Sequence, residues 1–358
     1  MADTAAPSPL RVLGETAYPL TAPSARVRVA TFGSFLRPHG VALSYLPTLS
    51  EREYATLLSP ASVVRKSAAL AAGVGRSALR RRPTHDLLLV HRLRLLSPFP
   101  RLDPPLRLDV YDLDDALFLG STADVNRRFA WAKQEARRCV ACLRRARLVI
   151  AGNSFLATRA REHARRVEVV PSCVDPHRQS LRDHREQEVV TVGWIGSAST
   201  SQYLPPVLPA IARLNARRMR VRLVLVGAVP SLSAPWIEHR PWSLEREGQD
   251  LASFDIGIMP LPDTDWARGK CGYKVLQYFS AGVPAVASPV GVAAELVGSE
   301  RGALASAQDD WYRALDRLTE DVALRREQGA AGRAFVERDY SYQRWAPELA
   351  ELLRSLVG

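Results

Sequence analysis

Lysine is scarce in this chain of 358 residues. Of its 49 basic residues only four are lysine, Lys66, Lys133, Lys270 and Lys274, and the rest are arginine. So strong an arginine bias points to a GC-rich genome and to solvated helix surfaces. No aromatic-plus-basic signature accompanies the charge, so no nucleic-acid partner is expected. Cysteine is equally sparse. Four in this length make no disulfide framework, and a reducing cytoplasm is the expected compartment. No apolar run approaches the roughly 18 residues that cross a bilayer. The opening MADTAAPSPLRV lacks a basic stretch followed by an apolar core, so a signal peptide is not expected. There is no repeat period, no Walker loop and no hydrolase nucleophile elbow.

What is present is an ordinary globular composition, 47% hydrophobic and 24% charged, at a length that suits two domains. The net charge of +12 is unevenly spread. Residues 1–200 hold 30 basic against 18 acidic side chains, and residues 201–358 hold 19 of each. A basic first half suits an anionic partner such as an acidic lipid surface or a polyanionic acceptor. Within it, Arg65, Lys66, Arg76, Arg80, Arg81 and Arg82 are interleaved with Leu, Ala and Val, which is compatible with peripheral membrane contact or with a solvated helix.

Strand-like and helix-like segments alternate. Arg11 to Gly14 reads as a first strand and Val41 to Tyr45 as a second. Between them Ser24 could cap a helix ending before Gly40, although Arg26-Val-Arg-Val-Ala also reads as a strand. Residues 51–82 look helical, with Gly73 and Gly75 as breaks. Residues 85–91, 108–115, 148–152 and 167–171 read as buried strands, and a helix is expected from about Asn126 to Ala146. Pro176 to Glu188 is polar and reads as a linker. Strands at Val189 to Trp194, Val221 to Gly227, Ser253 to Pro260 and Val283 to Ala287 then alternate with helices up to the C-terminus. The expectation is α/β: two Rossmann-like domains, each a parallel sheet covered on both faces, with a ligand cleft at the C-terminal strand edges.

Three stretches carry chemistry. Gly193-Trp-Ile-Gly-Ser-Ala-Ser-Thr200 ends a strand in small residues before a helix, a geometry that suits a phosphate or simply a tight turn. Trp266-Ala-Arg-Gly-Lys-Cys-Gly-Tyr-Lys274 concentrates two of the four lysines beside Arg268, with Gly269 and Gly272 allowing close backbone approach. Three cations at a helix start could hold a diphosphate and stabilise it as it departs; the alternative is a solvated basic loop. Tyr111-Asp-Leu-Asp-Asp115 is a carboxylate cluster open to metal, hydroxyl binding or loop anchoring. Cys139-Val-Ala-Cys142 has no second pair, so zinc is not expected. His91 ends a buried strand and would face the cleft or be a satisfied structural histidine.

With these segments in place, the chain resembles glycosyltransferase family four, a retaining group with the two-Rossmann GT-B fold. The most specific stretch is Phe254 to Ser288, which is similar to the family's donor region in the version reading DIGIMPL…GKxGxKxLQY. Pro289 to Val297, with Glu295, matches its continuation. Ser24-Ala-Arg-Val-Arg-Val resembles the family's S-x-R-x-R-V helix start, which favours helix there. Tyr111 to Phe118 resembles YDxDDAxF, and Tyr340 to Trp345 resembles the start of helices that cross back to the first domain. The sequence departs from the family at its Glu-x7-Glu donor motif. Gly269 stands at the first Glu and Gln277 at the second, and Ser197, Ser199 and Thr200 occupy the turn where the family carries Arg and Lys.

The resemblance implies a retaining glycosyltransferase, bacterial in type, that uses a nucleotide-diphosphate sugar as co-substrate, with no further cofactor and no metal. Lys270 and Arg268 would be catalytic. Gly196, Ser197, Ser199 and Trp242 would line the donor with Gly269, Gly272, Lys274 and Glu295, and Gln277 would reach its ribose. Gly14, Arg26, His91, Asp112, Asp114 and Asp115 would lie on the acceptor side, the acceptor itself being unknown. Expected boundaries are 1–185 for the acceptor domain, 186–340 for the donor domain and 341–358 for the returning helix. The expected place is the cytoplasm, free or at the inner membrane face. A nucleotide-sugar epimerase on the same fold and a non-catalytic GT-B partner subunit are the alternatives.

Overall fold

A computed structural model of the chain describes residues 8–59, 61–92, 108–120, 135–216, 220–228 and 232–357. The chain divides into two units, Met1–Ser172 with Tyr342–Gly358, and Cys173–Ser341.

The first unit is built on a six-stranded sheet in the order β2-β1-β3-β4-β5-β6. Its strands are β1 Leu10–Thr16, β2 Val41–Pro47, β3 Leu87–His91, β4 Val110–Leu113, β5 Leu148–Ala151 and β6 Val167–Val169. All neighbours are parallel. Leu87–His91 and Leu148–Ala151 are buried along their whole length, which is why they read as unbroken apolar runs.

The 23–39 segment is helical, but it starts differently from the expectation. Pro23 takes the first position behind Ala22, and Ser24 caps nothing. A π turn, Arg26–Ala30, follows, and its wide pitch turns Val27, Arg28 and Val29 inward together. Gly40 then closes the segment with φ +66°. Gly14 lies inside β1, where a Cβ would sit 2.5 Å from Val29 Cγ1; this glycine lets the helical segment approach the strand.

Residues 51–82 form two helices, Glu51–Leu58, with a Ser50/Glu53 capping box, and Val63–Leu79. Gly73 and Gly75 lie inside the second helix and do not break it. Of the helix expected from Asn126, Glu135–Arg145 is described, and residues 121–134 lie outside the described residues. The final helix, Tyr342–Arg354, buries Tyr342, Ala346, Leu349, Ala350 and Leu353 in this unit. The Tyr342 ring meets Phe32 edge-on at 4.9 Å and stacks on Phe35 at 5.1 Å, and its hydroxyl donates to Val27 O at 3.1 Å.

The second unit has the sheet order β12-β11-β10-β7-β8-β9, again all parallel. Its strands are β7 Val190–Ile195, β8 Val221–Val226, β9 Ile237–Arg240, β10 Ile256–Met259, β11 Ala285–Ala287 and β12 Gly302–Leu304. Along β8, Val224 and Val226 pack with Phe254, Tyr278 and Phe279 on one face. Leu223 and Leu225 pack with Trp194, Ile211 and Trp311 on the other.

The 176–188 segment is not a free linker. The fully buried Asp255 carboxylate accepts from the Arg182 guanidinium, the Gln187 amide and Thr191 N. The His184 ring bonds Gly282 O at 2.9 Å. The break between units therefore falls at Ser172, earlier than the 185/186 boundary expected from composition.

β7 and β10 pair only at Val192–Ile256 and Gly193–Gly257, and beyond that the phenol of Tyr278 stands between them. It accepts from Ile195 N at 3.3 Å and donates to Ile258 O at 3.0 Å. Gly257 makes room for it, since a Cβ there would lie 2.3 Å from the ring. Gly257→Ala should therefore cost about 1–3 kcal/mol by overpacking a ring that has nowhere to move. Urea unfolding should show a lower midpoint at unchanged slope.

Candidate functional site

In the second sheet the chain order reverses between β7 and β10, and open parallel sheets bind ligands at the C-terminal strand ends beside such a reversal. Two glycines shape this edge. At Gly196, just after β7, a Cβ would lie 2.7 Å from the Trp194 ring and 2.8 Å from Lys274 Cε. The Lys274 stem thus crosses the turn, and its Nζ lies 5.4 Å from the Trp194 ring centroid, within cation–π range. Gly227, after β8, has φ +78°; a Cβ there would be 2.3 Å from Gly196 O and 3.2 Å from Trp242 Cβ. Trp242 is oriented by its Nε1–H, which donates to Glu247 at 2.9 Å. Gly196, Trp242 and Lys274, distant in sequence, are brought together here.

Ser197 is exposed and precedes the helical turn Ala198–Ser201, and the Thr200 hydroxyl donates to Ser197 O. The side chain of Ser199 lies outside the described residues.

The 264–274 stretch is a capped turn followed by a helix. Thr264 accepts from Ala267 N and caps Asp265–Arg268. Arg268 is exposed, and its guanidinium is engaged by Asp263 at 2.9 Å and Asp265 at 3.1 Å, which partly neutralise it. Gly269 is in the right-handed helical region, and its N–H is used inside the turn, on Asp265 O. Lys270 Nζ lies 5.6 Å from the Trp266 ring centroid. Gly272 has φ +66°, and a Cβ would press on Leu296 at 2.4 Å; both its conformation and its packing exclude a side chain.

The helix Tyr273–Ser280 then carries Lys274 in its first turn and the buried Gln277 in its second. Glu295 is exposed on the helix Val292–Val297. Gly291, which the sequence reading did not single out, sits with its Cβ position 2.7 Å from Arg268 O. It seats the turn after β11 against the cationic stretch.

In the first unit the predicted acceptor-side carboxylates form a buried charge cluster. Asp112, on β4, is clamped by Arg28 through Nε at 3.0 Å and Nη2 at 2.6 Å, and Arg28 Nη1 donates to Val170 O at 2.8 Å. His91 Nδ1 donates to the same carboxylate at 2.7 Å, and its Nε2 lies 3.7 Å from Asp114. Arg92, held at φ +57°, donates to Asp114 at 2.6 Å and Asp115 at 2.6 Å.

Burial alone would raise the Asp112 carboxyl; Arg28 and His91 outweigh it and leave it below the ordinary range. The same contest leaves Asp114 low through Arg92 and His91. Arg26, the arginine expected here, instead donates to Leu20 O; Arg28 is the one the π turn buries. Among the described residues no group of three or more His, Cys, Asp or Glu is arranged to hold a metal. Cys139 is buried and accepts from the Tyr111 hydroxyl at 3.6 Å.

Residues 187–321 match the family described as Glycosyl transferases group 1. The match covers the β7 turn, the cationic stretch and the helix that follows. Solved structures share the architecture over almost the whole chain. A sucrose-phosphate synthase from Thermosynechococcus elongatus aligns with a TM-score of 0.72 at 14% identity, covering 97% of this chain and 99% of its own. WaaG, a glycosyltransferase involved in lipopolysaccharide biosynthesis, gives 0.64 at 14% identity, over 96% and 99%. HepE from Anabaena, solved with UDP and glucose, gives 0.62 at 14% identity, over 96% and 99%. No curated protein matches the sequence. The fold is GT-B, and with the group 1 match the chain is a glycosyltransferase enzyme.

Arg28 is the second arginine of the S-x-R-x-R-V stretch, where the sequence reading singled out the first, and nothing in the sequence sets Arg92 apart from the other arginines. Removing the carboxylate that Arg28 clamps tests the cluster. Asp112→Asn should cost about 3–5 kcal/mol at neutral pH by leaving Arg28 buried without its partner charge. Because the native Asp112 carboxyl lies below its unfolded value of about 4, its contribution is present above that pH and is lost as pH falls. The stability gap between wild type and Asp112→Asn should therefore narrow below about pH 4, as read by chemical denaturation across pH.

Proposed function

We propose that the chain is a retaining glycosyltransferase that moves a sugar from a nucleotide-diphosphate sugar to an acceptor hydroxyl. The observation that carries this is the Lys274 side chain lying across the side-chain-free turn at Gly196, at the C-terminal end of β7. Backbone amides after a strand, small residues and a lysine from the next helix suit a diphosphate. The resemblance to family four and the UDP and glucose bound to HepE, a protein of the same fold, support the donor class.

In this reading Lys274 and the 196–197 backbone hold the diphosphate. Lys270, on the neighbouring turn, meets the charge that grows as the sugar–phosphate bond breaks. Arg268, shared with Asp263 and Asp265, adds less. Gln277 takes the ribose side, as a neutral hydrogen-bonding stand-in for the family's glutamate.

Transfer takes place on one face of the sugar. The C1–O bond to phosphate breaks, the acceptor oxygen bonds to C1 from the same side, and the acceptor proton passes to the departing phosphate. No enzymatic nucleophile is needed, and the protein's work is positioning and charge stabilisation. The first unit receives the acceptor, a polysaccharide, glycolipid or secondary metabolite. The reaction belongs in the cytoplasm, at the inner membrane face when the acceptor is lipid-linked.

Lys270→Ala should lower kcat about 10²-fold, as the loss of one preorganised charge-stabilising group does. Lys274→Met and Gln277→Ala should act mainly through donor KM. Steady-state kinetics over a panel of nucleotide sugars checks the split, and NMR of the product checks the anomeric configuration. An inverted product, or a Lys270→Ala variant with wild-type kcat, contradicts the assignment.

A further inference from the structure

The helix Val63–Leu79 in the first unit is apolar on both sides, with Leu70 and Val74 half-buried around Gly73 on the inner one. Of its 17 residues only Gly73 is buried. It rests on the protein through that glycine, whose Cβ position lies 2.5 Å from Leu49 Cδ2. Val64, Ala68, Ala71, Ala72, Gly75, Ala78 and Leu79 all point outward. Their spacing of i, i+4, i+7, i+8, i+11, i+14 and i+15 makes one continuous apolar stripe on the solvent side. Val64 is 78% and Leu79 89% exposed. An amphipathic helix ordinarily points such a stripe inward, so a covering surface is called for.

The charge around the stripe says what kind. From Ser62 to His85 there is no Asp or Glu, while six residues are basic. Two of the six are neutralised from outside the segment, Arg76 by Glu53 and Arg82 by Glu15. The other four, Arg65 and Lys66 at one end and Arg80 and Arg81 at the other, have no ion pair among the described residues; Arg65, Arg80 and Arg81 are exposed beside the stripe, and Lys66 is half-buried on the Gly73 side. A second copy of the chain laid on this face about a two-fold axis would bring the two cationic ends against each other. A planar anionic surface with an apolar interior meets both the cations and the stripe at once.

We infer that this face docks the protein on an acidic lipid bilayer, the helix lying in the interface plane. Alanine and valine reach only shallowly, so the attraction is mainly electrostatic and salt-sensitive. The inference stands on this helix alone and does not depend on the glycosyl-transfer reading.

Co-sedimentation of the full chain with vesicles tests it. The protein should pellet with vesicles of phosphatidylcholine plus phosphatidylglycerol at low salt, but not with phosphatidylcholine alone, and high salt should release it. Reversing all four cations (R65E, K66E, R80E, R81E) should weaken binding more than tenfold, about fivefold being expected per cation merely removed. Val64→Asp should weaken it with all four cations in place. Val64, Arg65, Arg80 and Arg81 are exposed and Lys66 is half-buried, so thermal unfolding should be near wild type and should separate lost docking from lost fold. Equal binding to neutral vesicles, or undiminished binding by the four-charge variant, overturns the inference. So does a dimer that Val64→Asp dissociates while wild type ignores acidic vesicles, an outcome that gives the face to a second copy.

Discussion

The Tyr278 phenol fixes the geometry on which the second unit's site depends. β7 and β10 part after two paired residues, and at that point the hydroxyl takes Ile195 N–H and gives to Ile258 O. One side chain thus satisfies the backbone groups that the opening sheet would leave unpaired, at the one place where a parallel sheet can hold a ligand. It also sets the helix Tyr273–Ser280 against the strands, so Lys274, one turn earlier, falls across Gly196. Gly193 and Gly257 allow this, the first by making room for the Phe254 ring and the second for Tyr278 itself. Site geometry here follows from packing: the lysine is aimed by a helix, and the helix is pinned by a buried hydroxyl.

The first unit uses charge where the second uses packing. Arg28, His91, Asp112, Asp114 and Arg92 are gathered at the C-terminal ends of β3 and β4, and each carboxylate there has a basic partner. Such a cluster is weak evidence for stability, because desolvation offsets most of the attraction. Its clear effect is to fix orientation: it holds the ends of β3 and β4 together and ties them to the helical segment at Arg28.

Much of this was legible in the sequence. Continuous apolar runs gave the parallel strands, and the clustering of lysines at 270 and 274 marked the stretch that folds against the β7 turn. Other features were hidden for physical reasons. β9 is half-buried at every position and β12 is three residues long, so neither shows a run. The 176–188 segment is polar because its side chains pair with buried Asp255 and with backbone carbonyls, and polarity alone looks the same in a linker. Gly73 looks like a helix break because a glycine needed for close packing is indistinguishable in sequence from one needed for a turn. The inward direction of Arg28 depends on a π turn, which shifts a helix face by one residue with no pattern to announce it.

The claim that the β7 turn and Lys274 form a diphosphate site is tested most directly by calorimetric titration of the full chain with each common nucleoside and with its diphosphate. The account predicts that one diphosphate binds at least about 10²-fold tighter than its nucleoside, with an affinity that falls as salt rises and a difference that mostly disappears in Lys274→Met. Nucleoside and diphosphate binding equally, or a Lys274→Met variant that keeps the full difference, would contradict it.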